Sequence, residues 1–228
     1  MSEESDPINE AYLGRESVYH FDQMIILAME LNDAVARWTR GKELSRLQKA
    51  SCQLIPHGFS IALGIRELVG TGYLFSAEIL VRPLIERAGV LSYLIESTGD
   101  VVGLWEQGWP YKTRPSLKQL MAAMRDSVGE EIDLENEKLL VGHFNRLIHA
   151  DPLGSSRNIG SAADGVSGFL AGPNLSAPEI CDDICLLTTV GLLVLHARAT
   201  QVFQEATSDL NIQGAREIAA IVAAQKPK

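Results

Sequence analysis

Apolar residues recur at helical spacing along most of this chain. Over residues 16–38 the positions Met24, Ile25, Leu27, Ala28, Leu31 and Val35 follow a period near 3.6, and Gly41 closes the segment. A second helical pattern starts near Lys42, is interrupted at Pro56 and Gly58, resumes over 61–68 and ends at Gly70-Thr71-Gly72. The third pattern, 73–97, places Leu80, Leu84, Ala88, Leu91 and Ile95 on one face and Glu78, Arg82, Glu86, Gly89 and Tyr93 on the other. Pro83 lies in its middle and predicts a bend, and Gly99 ends it.

A short irregular stretch with Trp105, Trp109 and Pro110 follows. Ser116 and Gln119 then form a capping-box pattern at the head of a helix running to Val128. The next helix is predicted from Asp133, a suitable N-cap, to Ala150, with Leu140, Phe144, Leu147 and Ile148 on its apolar side. It stops at Asp151-Pro152. Residues 151–177 hold five glycines, two prolines and five serines without periodicity, which predicts a long loop or insertion. Ser176-Ala-Pro-Glu179 reads as a further capping box opening a helix to about Thr207. Residues 1–10 read as a disordered tail, and 210–228 as a C-terminal tail, briefly helical over 213–224. With no alternating strand pattern and no internal repeat, the expectation is one all-α domain, 1–228, folded as an antiparallel bundle of six to seven helices.

Composition narrows the partners. Hydrophobic residues make up 46% and charged residues 21%, a globular balance, and the 228 residues suffice to bury a core without staples. The net charge of −9 repels nucleic acid and anionic membrane in bulk, so a phosphate site requires a local basic pocket. Cys52, Cys181 and Cys185 form no disulfide framework. The last two, four residues apart, lack partner ligands at metal-binding spacing and read as buried structural thiols in a reducing cytoplasm. The acidic N-terminus carries no apolar run and predicts no signal peptide, and the apolar window 186–195 is half the length needed to cross a bilayer. No phosphate loop, nucleophile elbow, zinc helix or dinucleotide fingerprint occurs, so no cofactor and no metal are expected.

Two polar stripes could carry chemistry. On the helix before the loop, Asn145 and His149 stack four residues apart with Arg146 beside them, and Asp151 follows the helix end. A histidine at a helix C-terminus is favoured as the cation, and an imidazole, an amide and a guanidinium together suit proton transfer with anion stabilisation. The plainer reading is a solvated face whose histidine caps its own helix. On the third helix Glu78, Arg82 and Glu86 are successive i,i+4 partners, either a surface ion-pair string or half of a polar site. Gly89 on that stripe would admit a backbone or a ligand. His143, at the edge of the apolar stripe, reads as a satisfied, half-buried histidine.

The run FSAEILVRPLIERAGVLSYLIE, followed some fifty residues later by FNRLIHADP, resembles a group of bacterial proteins in which an Arg-x-x-x-Glu helix precedes an Asn/Ser-x-x-x-His helix. That group is related to the HEPN superfamily of helical bundles, many of them homodimeric, metal-independent ribonucleases of toxin–antitoxin and anti-phage systems. The resemblance implies that Arg82 and Glu86 form the first element, and Asn145 and His149 the second. It departs at one place. Catalytic members carry an arginine with four to six residues between it and the histidine, where this chain has Phe144, His143 and Gly142. The expectation is therefore a non-catalytic, cytoplasmic HEPN-like module that binds a partner or small anionic ligand through Arg82, Glu86, Asn145, Arg146 and His149. The alternative is an endoribonuclease with His149 as general acid/base, Arg82 or Arg146 stabilising the phosphorane and Asn145 orienting.

Overall fold

A computed structural model describes residues 10–128, 137–148, 159–161, 167–169, 172–210 and 212–224. Among them are nine helices: α1 (Glu16–Thr39), α2 (Arg46–Gly70), α3 (Leu74–Glu96), α4 (Val101–Glu106), α5 (Leu117–Val128), α6 (Glu137–Ile148), α7 (Pro178–Val202), α8 (Gln204–Thr207) and α9 (Ile212–Ala224). The helix expected to run to about Thr207 is broken at Phe203 into α7 and α8, and the short α4 is an addition to the sequence expectation. So is a two-stranded antiparallel hairpin, β1 (Ile159–Ser161) with β2 (Ser167–Phe169), inside the stretch expected to be structureless. Three-residue strands carry too little alternation to be read from sequence.

The helix ends follow from local chemistry. Ser45 accepts from the Gln48 backbone while the Gln48 side chain accepts from the Ser45 N–H, a reciprocal cap that starts α2 four residues later than the periodicity suggested. The same device opens α5 at Ser116 and Gln119. The box expected at Ser176 does not form. Ser176 turns to Asn174, and α7 starts at Pro178 without a side-chain cap. Neither Pro56 nor Pro83 divides its helix: α2 and α3 run on through the turn where one N–H is lost.

The core helices α1, α2, α3 and α7 are not all antiparallel. Ala11 N–H donates to Gly70 O at 2.8 Å, which sets the start of α1 beside the end of α2. In contrast, Arg15 and Ser17 both hold Asp182 at the start of α7, while Trp38 and Phe203 meet edge to face at the far ends. Thus α1 and α7 run parallel. So do α3 and α7: Gly191 lies against Leu84, and Arg198 donates to Ser92. The polypeptide between α3 and α7 is the crossover that returns the chain to its starting end, and it carries α5 and α6 across the flank of α3.

α7 is the most enclosed helix, packed against α1, α2, α3 and α5. By length and composition it could cross a membrane, and 67% of its apolar window is buried within the protein. Cys181 and Cys185 are buried on it. Arg198 on the same helix is 3% exposed, yet it is fully engaged by Ser92, Glu96, Gln201 and the Ala123 carbonyl. α9 is a packed helix and not a loose tail, since Ala215, Ile218 and Val222 join the core.

Candidate functional site

The polar stripe of α3 was expected to face water or a cleft. The structure corrects this from Glu78 to Glu86. Glu78 is 4% exposed, and the side chains of Arg82 and Glu86 are each 21% exposed. The reason is the position of α3, which has α2 and α7 on one side and α5 and α6 laid over its polar side. Gly89 has the role expected of a glycine on that stripe, but for a helix and not a ligand. A Cβ there would stand 2.6 Å from Leu120 Cβ and 3.2 Å from Leu120 O, so the bare backbone lets α5 approach.

α6 is anchored by Phe144, 1% exposed, and Leu147, 6% exposed. Residues 143 and 145 lie about 100° to either side of 144 on a helix, and each reaches α3. His143 Nε2 lies 2.9 Å from Glu78 Oε1, and Arg82 Nη1 donates to Asn145 Oδ1 at 2.9 Å. An ionised carboxylate only accepts, so with Glu78 ionised the Nε2 position of His143 carries the proton. His143 is thus the satisfied, half-buried histidine that the pattern suggested, with its partner now identified.

Arg82 and Asn145 are therefore brought together, and Glu86 completes the group by accepting from Arg82 Nε at 3.0 Å. The sequence reading missed one member. Arg114, in the segment leading to α5, places Nη2 3.7 Å from Glu86 Oε2 while 72% of its side chain stays exposed. Two guanidiniums thus share one carboxylate, with the buried Glu78 one turn from Arg82 on the same stripe. The signal that could have found Arg114 is compositional: residues 107–125 hold four cations and no carboxylate. Arg146, next to Asn145, is exposed. His149 and Asp151 lie outside the described residues.

The group can accept an anion. Arg82 uses two of its five N–H donors on Glu86 and Asn145, and both partners fix its plane. Among the described residues no set of three His, Cys, Asp or Glu side chains is arranged to hold a metal ion. Comparison of the chain with protein-family models, with curated proteins and with solved structures finds no match in any of the three.

Proposed function

We propose that the chain is a non-catalytic, HEPN-like helical module that binds an anionic group, of a small ligand or of a protein partner, through the polar face shared by α3 and α6. The observation that carries this reading is the 2.9 Å hydrogen bond from Arg82 to Asn145. It joins the Arg-x-x-x-Glu element to the Asn-x-x-x-His element across 63 residues of sequence. The two guanidiniums that share Glu86 support an anion as the ligand.

The lack of catalysis rests on Phe144. Where a ribonuclease of that superfamily would carry its arginine, this chain has a phenylalanine buried in the core, preceded by a histidine committed to Glu78. No cation from those positions can stabilise a phosphorane. On this reading the protein works as a cytoplasmic homodimer of bacterial origin.

Expression in a bacterial host tests the assignment, alongside incubation of the purified protein with labelled RNA. Wild-type protein should leave growth and RNA intact. Growth arrest or RNA cleavage that His149→Ala relieves would replace this reading with the metal-independent endoribonuclease.

A further inference from the structure

Residues 107–125 break with the rest of the chain. They carry Lys112, Arg114, Lys118 and Arg125 and no acidic residue, in a protein where 29 of 228 residues are acidic. At that density a stretch of this length would hold two or three carboxylates, so the gap is a local reversal of charge. The fold turns it into a surface. Lys118 and Arg125, seven residues apart, share the outer side of α5, while Leu120, Met121 and Met124 fill the inner side.

The segment leading into α5 extends that surface. Trp109 N–H donates to Leu104 O at 2.9 Å, and Thr113 N–H to Pro110 O at 2.9 Å, closing a turn with Tyr111 and Lys112 at its tip. Tyr111 is 87% exposed, the most exposed of the large apolar side chains among the described residues. Trp109 and Lys112 have φ of +56° and +64°. Lys112 is the third residue of its turn, where a positive φ suits glycine and a side chain costs on the order of 1 kcal/mol or more. Lys112 Nζ stands 5.0 Å from the centroid of the Tyr111 ring, so the turn presents an ammonium and an aromatic face together.

We infer that the Tyr111–Lys112 turn and the outer side of α5 form a docking surface for an acidic polypeptide segment. The surface is distinct from the Arg82–Asn145 junction and does not depend on the reading of that junction, although Arg114 borders both. Two observations favour a polypeptide over a nucleic-acid strand. A strand carries a phosphate at every nucleotide and meets a protein of net charge −9, whereas a short acidic segment can match the exposed Lys112 and Lys118 without prolonged repulsion. A strand also needs successive stacking platforms. Here Tyr111 stands alone, because the Trp109 ring is set edge-on against Tyr93. Tyrosine and arginine are, by contrast, among the side chains that anchor protein interfaces, and lysines suit the charged rim.

Fluorescence anisotropy tests this with the full chain, a labelled oligoglutamate peptide containing aromatic residues, and a labelled single-stranded oligouridylate as the second arm. The peptide should bind, weaken as salt rises, and lose about tenfold in affinity in both Tyr111→Ala and the Lys112→Glu/Lys118→Glu double variant. These side chains are exposed, so the fold should persist, which circular dichroism checks. Arg216→Ala, at an exposed position on α9, should leave peptide binding unchanged. The inference is overturned by absence of peptide binding at low salt, by binding indifferent to both variants, or by tighter binding of the oligouridylate.

Discussion

Arg82 on α3 donates to Asn145 on α6 across a 2.9 Å hydrogen bond, while Glu86 holds the same guanidinium from one turn away at 3.0 Å. The pair should be energetically coupled. In a double-mutant cycle with Arg82→Ala and Asn145→Ala, urea unfolding should return a coupling of about 1 kcal/mol, the usual net worth of a partly exposed hydrogen bond. Additive single effects would show that the contact contributes nothing to docking α6.

The neighbouring contact should weigh more. His143 meets Glu78, whose side chain is only 5% exposed, so His143→Ala takes a hydrogen-bonding partner from a carboxylate that water hardly reaches. We expect a loss of about 2 kcal/mol, larger than for Asn145→Ala, with partial recovery in His143→Gln. The measurement is the urea midpoint of each variant, and a His143→Ala effect below that of Asn145→Ala would contradict the burial argument.

Replacing Phe144 by arginine should not create a ribonuclease. The position is 1% exposed inside the core, and an unpaired charge there costs about 3 kcal/mol or more. Phe144→Arg should lower the thermal midpoint sharply and leave labelled RNA uncut. A stable Phe144→Arg protein that cleaves RNA would overturn the account of why the face is silent.

These residues also show how far the sequence could be read. The long helices were accessible, because apolar period is a local property, whereas the meeting of Arg82 with Asn145 across 63 residues was only an expectation carried by the resemblance. The direction of α7 was not, since parallel packing on α1 and α3 depends on the crossover that precedes it. The cover over Glu78 was hidden for the same reason: a polar stripe on a central helix looks like a solvated face until α6 is laid across it. Arg114 reached Glu86 from a loop, where spacing carries no information about contact.

Acid should destabilise the protein in a window set by His196. Burial holds its imidazole below the ordinary value of about 6.5, so the unfolded chain takes up the proton more readily than the folded one. Stability is complete above about pH 6.5 and falls as pH drops from there toward the lower folded value, by at most about 1.4 kcal/mol per pH unit. Asp182, whose carboxyl the Arg15 guanidinium holds down, loses its contribution only below about pH 3.9, so its loss begins at lower pH than that of His196. His196→Leu should flatten the upper window in urea titrations, and an unchanged slope would show that another group is responsible.

The most direct measurement of the central claim is an NMR titration of the full chain with inorganic phosphate. It follows the Arg82 Nε–Hε signal and the Asn145 side-chain amide. The account predicts saturable shifts of both signals at low ionic strength, and loss of the Asn145 response in Arg82→Ala protein that remains folded. Signals that do not move, or an Asn145 response that survives the loss of Arg82, would contradict it.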